Sequence, residues 1–348
     1  MRVLVTGGTG FVGAHSVRSV VAAGHEVRLL VRSPARIAEN LGPLGVPEVD
    51  FAVGDMTDAE AVGKAMDGCD AVLHAAAVVA LDRRRADEIL AANPAGARVV
   101  VGTAAERGLD PIVYVSSASA LFTPGIDLLH AELPPTGGDN AYGRSKAEAE
   151  HYVRGLQDAG APIAITYPGG VIGPPAGSAF GEFADSVVTI LQVGVIPVRD
   201  GSLALIDARD LGAIHAAALR PGRGPRRYMC GGHFLTMPEY AALLGEVTGR
   251  SFPVVPTPAA AMRGLGRALD AVTRVVPFDT IFTEEAMSIL TQWVPSDDRL
   301  VETELGVTLR PAAESVDAAI RGLYDAGRVS ARLVGSVATT AATGEDAP

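Results

Sequence analysis

The sequence predicts an α/β fold: a doubly wound parallel sheet with a smaller, mostly helical second domain. Three observations carry this. Short β-branched apolar runs alternate with helix-like segments from residue 2 to residue 166. The runs are apolar at nearly every position rather than at alternate ones, which fits strands buried on both faces. After Thr166 the alternation breaks into a Pro/Gly-rich stretch and then into segments of helical character.

In chain order the expected strands are RVLVT (2–6), EVRLLV (26–31), DFAV (50–53), DAVLH (70–74), IVYVS (112–116) and PIAIT (162–166). Helices are expected over 11–23, 34–40, 58–67, within the stretch that runs to 106, and over 141–159. Local signals mark several starts: Ser33-Pro34 and Asn93-Pro94 as a cap followed by proline, and Thr57-Asp58-Ala59-Glu60 as a capping box. YPGGVIGPPAG (167–177) holds three prolines and four glycines and is expected to be loop. LALID (203–207) with the helix after it reads as a return to the main sheet. The expected division is therefore 1–166 plus 203–232 for one domain and 167–202 plus 233–330 for the other. Residues 336–348 show no periodicity and are expected to form a structureless tail.

Composition excludes several functions. With 348 residues the chain can bury a full core, and its net charge of −11 offers no field that would gather nucleic acid or anionic lipid. No apolar stretch is long enough for a membrane span, and MRVLVTGGTG lacks the apolar core of a secretory signal. Cys69 and Cys230 stand alone, so neither a disulfide framework nor a metal site is expected, and a cytoplasmic location is. Only Lys64 and Lys146 are lysine; every other basic residue is arginine.

Chemistry enters with Thr6-Gly7-Gly8-Thr9-Gly10-Phe11-Val12-Gly13, which follows the first strand and opens the first helix. Glycines at 7, 10 and 13 permit a tight turn, close approach to a pyrophosphate and helix–strand contact, and the helix N-terminus offers free N–H groups to the anion. This is the arrangement of a Rossmann-type dinucleotide site. At the end of the second strand, where a carboxylate would hold the ribose hydroxyls of NAD, the sequence has Val31 and then Arg32. Arginine can neutralise a 2′-phosphate, which favours NADP over NAD. Asp55, in Gly54-Asp55-Met56, suits either the adenine amino group or a turn.

Tyr142 and Lys146 lie one helical turn apart on one face. A phenol titrates near about 10, so proton transfer at neutral pH needs a cation beside it. Chance supplies only about 0.04 such pairs in a chain with so few tyrosines and lysines.

Taken together, TGGTGFVG (6–13), GDMTD (54–58), HAAA (74–77), Asn93, YVSSAS (114–119) and YGRSK (142–146) resemble the extended short-chain dehydrogenase/reductase family, the NAD(P)-dependent epimerase/dehydratase group, in its dihydroflavonol-reductase-like branch. The resemblance spans about residues 1–230. It implies a Ser-Tyr-Lys site in which Tyr142 is acid and base, Lys146 lowers its pKa and holds the nicotinamide ribose, and Ser117, or Ser116 in the other register, binds the substrate oxygen. It further implies that Phe11 and Val12 meet the pyrophosphate, that Ala75, Ala76 and Ala77 line the nicotinamide half, and that Pro168 to Val171 lie beside the ring; Asp55 and Met56 are counted with the cofactor-binding residues. Asn93 matches a helix residue near the family's site, although a cap before Pro94 would explain it equally. His74 is expected to be a satisfied core histidine.

Departures from the family narrow the chemistry. Dehydratases of this group carry Asp-Glu after the catalytic hydroxyl, where this chain has Ala118-Ser119, and the common arginine before Pro-Gly is Tyr167. The expected function is NADP-dependent carbonyl reduction or alcohol oxidation on a small, apolar or cyclic substrate. The alternatives are an NAD-dependent sugar-nucleotide epimerase, whose diphosphate Arg209, Arg263 and Arg267 could bind, and a non-catalytic cofactor sensor. Family members commonly pair through the helices near 83–106 and 141–159, so a homodimer is expected, with Pro94 as an interruption.

Overall fold

The computed structural model describes residues 1–78, 86–138, 141–273 and 283–342. The chain runs β1 (Arg2–Thr6), α1 (Phe11–Ala22), β2 (Glu26–Val31), α2 (Ala35–Leu41), β3 (Asp50–Val53), α3 (Ala59–Met66), β4 (Ala71–His74), α4 (Ala86–Glu106), β5 (Ile112–Val115), α5 (Ala118–Leu121), α6 (Ala141–Asp158) and β6 (Ile163–Pro168). It continues through β7 (Gly170–Ile172), α7 (Ala184–Val193), β8 (Ser202–Asp207), α8 (Ala208–Ala218), β9 (Arg226–Cys230) and β10 (His233–Thr236). Helices α9 (Met237–Thr248), α10 (Ala259–Thr273), α11 (Glu284–Gln292), α12 (Arg299–Thr303), α13 (Ala312–Asp325), α14 (Ala331–Val334) and α15 (Ser336–Ala342) complete it.

Seven parallel strands form the main sheet in the order β3-β2-β1-β4-β5-β6-β9. Successive side chains of a strand point to opposite faces, and the two faces carry separate cores. Val3, Val5, Leu29 and Leu73 pack with Val17 of α1 and Leu211 of α8. Leu4, Val72, Ile112 and Ile165 pack with Val62 of α3, Val100 of α4 and Val153 of α6 on the other face. Burial on both faces is why the strands lack polar alternation. The order reverses between β1 and β4, and their carboxyl ends, Thr6 and His74, open the crevice where such sheets bind ligands.

Several expectations are corrected. The run 203–207 does not rejoin the main sheet: β8 is the centre of a three-stranded sheet, β10-β8-β7, and β9 supplies the seventh strand. A continuous apolar run suits burial in either core, and Leu203 and Leu205 join the third cluster, with Leu191, Leu244 and Ile320. Residues 170–172 are strand rather than loop, because parallel pairing with β8 satisfies their backbone. Asn93-Pro94 lies inside α4 rather than at its start. Asp58, not Thr57, caps α3, accepting from the backbone N–H groups of Glu60 and Ala61. Residues 336–342 form α15 in place of a structureless tail, since Val337 is buried and Ser336 Oγ donates to Val247 O at 2.8 Å. Residues 343–348 lie outside the described residues. No helix among the described residues is long and apolar enough to cross a membrane.

Candidate active site

The glycine loop leaves the carboxyl end of β1 and enters α1. Gly7 adopts φ +73°, and a β-carbon there would fall 2.5 Å from Ala76 N. A β-carbon on Gly13 would fall 2.0 Å from Gly7 O, so helix, loop and the β4 exit touch through bare backbone. Gly10 caps α1 without a side-chain partner, and the first turn carries no acidic residue. A cradle that side chains would fill, at a helix N-terminus with unspent N–H groups, fits a pyrophosphate. Thr6 Oγ1 ties the two strand ends together, accepting from Ala76 N at 3.3 Å and meeting His74 Nδ1 at 2.6 Å. His74 is buried and lowered to about 3, so it is a neutral core histidine as expected.

Beyond β2, Arg32 is exposed. The Asp55 carboxylate accepts from Thr57 N at 3.0 Å and Thr57 Oγ1 at 2.7 Å, and these bonds, with the charge of Arg32, hold its pKa below the usual range. Asp55 is thus built into a turn, while the Met56 side chain lies against Gly96 of α4. Asn40, which the sequence did not single out, is buried: its amide donates to Thr9 O at 2.7 Å and its carbonyl accepts from Ser178 N at 3.0 Å. His15 Nε2 and Pro174 O, 2.9 Å apart, form a second tie, and Phe11 lies under Gly181. The segment after β7, which continues from Pro168 and Val171, is therefore laid across the phosphate loop.

Tyr142 and Lys146 occupy the first turns of α6. Lys146 Nζ lies 5.9 Å from the centre of the Tyr142 ring and donates to Val115 O at 3.0 Å. Burial draws the Lys146 ammonium down to about 8, against the pull of the Glu182 and Glu150 carboxylates. The Tyr142 phenol is raised well above its ordinary value, first by burial and then by the charge of Glu182, while a hydrogen bond with Ser117 works the other way. Burial is the largest cause of that rise, and it disfavours the ionised phenol. Glu182 precedes α7, and no local pattern in the sequence marks it. Its side chain is exposed, and desolvation, opposed by the charge of Lys146, pushes its carboxyl up to about 7.

Ser116 and Ser117 have different partners. Ser116 Oγ donates to Glu150 Oε2 at 2.6 Å and is turned away, whereas Ser117 caps α5 and stands at Tyr142. Asn93 is not a cap. Its amide donates to Ser145 Oγ at 3.0 Å and Val78 O at 3.0 Å, and its carbonyl accepts from Val78 N at 2.7 Å, joining α4 and the β4 exit to the turn that carries Tyr142.

The three arginines considered for a diphosphate are committed elsewhere. Arg209 forms a forked pair with Asp207, Arg263 donates to Thr291 and Arg267 pairs with Glu284. Among the described residues no cluster has the makings of a metal site.

Comparison with known proteins shows the family to which the chain belongs. The model of the NAD dependent epimerase/dehydratase family matches residues 3–231. Sterol demethylase protein B of Methylococcus capsulatus is 29% identical over 281 residues, 79% of this chain and 83% of that protein. A Synechocystis sp. protein provisionally named dihydroflavonol 4-reductase is 32% identical over 263 residues, 72% of this chain and 73% of its own. Among solved structures, UDP-glucose-4-epimerase of Stenotrophomonas maltophila with bound NAD shares the fold, at a TM-score of 0.73 and 20% identity over 95% of this chain and 100% of that one. The chain belongs to the NAD-dependent epimerase/dehydratase family, of the extended short-chain dehydrogenase/reductase type, and is an NAD(P)-dependent enzyme.

Proposed function

We propose that the protein is an NADP-dependent carbonyl reductase or alcohol dehydrogenase acting on a small, apolar or cyclic substrate. The observation that carries this is the meeting of Ser117, Tyr142 and Lys146 at one point, with alanine and serine at 118 and 119. Eliminating water needs a further acid and base, and these two residues supply neither. The engagement of Arg209, Arg263 and Arg267 with protein partners disfavours a sugar-nucleotide diphosphate. The names of two relatives, which speak of a sterol and a flavonol, support a ring-bearing apolar substrate for this chain as well.

In this proposal Gly7, Gly10, Phe11, Val12 and Gly13 receive the pyrophosphate, and Arg32 faces the 2′-phosphate of NADP. Asp55 and Met56 flank the adenine. Ala75 to Ala77 line the nicotinamide half, with Pro168 and Val171 beside the ring. Bound NADPH supplies the hydride. Tyr142 Oη passes its proton to the alkoxide oxygen forming on the substrate, and Ser117 Oγ donates a hydrogen bond to the same oxygen. Lys146 stabilises the phenolate left behind. Oxidation reverses each role.

The test is NADPH consumption against a panel of neutral cyclic ketones, run beside UDP-sugars with NAD. Turnover of ketones alone supports the proposal, and activity confined to UDP-sugars contradicts it. We also propose a two-fold homodimer through the outer faces of α4 and α6. Pro94 lies within the continuous helix α4 and does not interrupt it; residues 83–85 lie outside the described residues.

A further inference from the structure

Behind the Tyr142–Lys146 pair lies a buried ionic cluster centred on Glu150, one helical turn beyond Lys146 and 0% exposed. Glu150 Oε2 accepts from Ser116 Oγ at 2.6 Å, and Oε1 accepts from Tyr167 OH at 2.8 Å and from Arg154 Nε at 2.7 Å. Arg154 Nη2 also donates to Tyr167 OH and to Ala131 O, each at 3.0 Å. A carboxylate this deep persists as an anion only when its oxygens are fully partnered, and here they are.

Those partners matter because of what adjoins them. Ser116 immediately precedes Ser117 at the exit of β5, and Tyr167 immediately precedes Pro168 at the exit of β6. Helix α6 thus grips the end of β5 twice, through Lys146 Nζ on Val115 O and through Glu150 on Ser116, with Ser117 next in line. We propose that Glu150 is a positioning residue that holds Ser117 in register with Tyr142 and sustains the positive charge of Lys146. The inference rests on the Ser-Tyr-Lys assignment made above.

The charge argument follows from what surrounds the ammonium. Burial works against Lys146, and the two opposing charges are Glu150, on its own helix, and Glu182, before α7. The Tyr114 ring of β5 lies 5.7 Å from Nζ, the Tyr142 ring completes the cage, and His74 of β4 is neutral. Glu182 is open to water and titrates near 7, so its charge varies across the working range. Glu150 is the one of the two that is paired with an arginine, Arg154.

Because the chain holds only two lysines, the test needs no substrate. Full-length protein labelled with ¹³C-lysine gives side-chain resonances from Lys146 and from the exposed Lys64, and a pH titration reads Lys146 directly. Glu150→Gln is expected to lower the Lys146 midpoint by about half a unit or more, with Glu150→Asp recovering most of the fall and Lys64 unmoved. Tyr167→Phe removes a donor but no charge, and is expected to move the midpoint by less than about 0.2 unit. Where Glu150→Gln does not fold, Glu150→Gln with Arg154→Met removes the buried pair as a unit and predicts a smaller fall in the same direction, because the opposing charge of the guanidinium leaves with the carboxylate. A midpoint unmoved by loss of the carboxylate, or moved as far by Tyr167→Phe, overturns the proposal. Failure of the oxidoreductase assignment would show separately, as absence of turnover with the midpoint shift intact.

Discussion

A β-carbon on Gly13 would lie 2.0 Å from the carbonyl oxygen of Gly7, so the first helix meets its own loop where no side chain fits. Gly13→Ala must therefore push the helix off the loop. The expected cost is on the order of 1–3 kcal/mol of stability, together with loss of the thermal stabilisation that NADPH gives the unaltered protein. Melting curves with and without cofactor measure both. An unchanged cofactor shift in the variant would show that the loop does not receive the pyrophosphate.

Arg32 governs cofactor choice in this account. At equal concentrations NADPH should raise the melting temperature more than NADH, since stabilisation follows RT ln(1 + [L]/Kd), and Arg32→Ala should narrow that gap. A larger shift with NADH in the unaltered protein would reverse the assignment.

Glu182 predicts a pH dependence of stability. Its folded carboxyl stands at about 7, above the ordinary 4.5, so the folded chain binds that proton more tightly than the unfolded one. The contribution is fully present below about 4.5 and is lost as pH rises through about 7. Glu182→Gln should therefore gain melting temperature relative to the parent at pH 8 and lose that advantage at pH 4. Exposure of Glu182 to solvent keeps the effect modest. Parallel melts at the two pH values decide it, and a pH-independent difference would contradict the assignment.

Assembly is read by sedimentation. The proposed α4–α6 face predicts a two-fold dimer at micromolar concentration, dissociated by a charge placed at an exposed position of α6, for example His151→Glu. A monomeric parent would reject it.

What the sequence disclosed was local. Six strands, the glycine loop and the Tyr142–Lys146 spacing were legible because each depends on neighbours a few residues away. Asn93 and Pro94 together imitate a helix start, and only the packing of α4 against the β4 exit and α6 turns Asn93 into a bridge. The run 203–207 is apolar enough for either core, so its place in the second sheet depended on pairing with β7 and β10. Glu150 had a visible signal, the four-residue spacing from Lys146, although its partners Ser116 and Tyr167 come from distant strands. Glu182 follows glycine in a loop with no periodicity, and its approach to the active site exists only in three dimensions.

The central claim is that Tyr142 is the proton donor, and Tyr142→Phe tests it most directly because it removes the hydroxyl and keeps the ring. Once a carbonyl substrate is in hand, turnover is expected to fall on the order of 10²–10⁴-fold while NADPH still stabilises the variant against heat. Near-normal turnover by Tyr142→Phe would contradict the account, and an unaltered protein that binds NADPH yet turns over no carbonyl would favour the cofactor sensor.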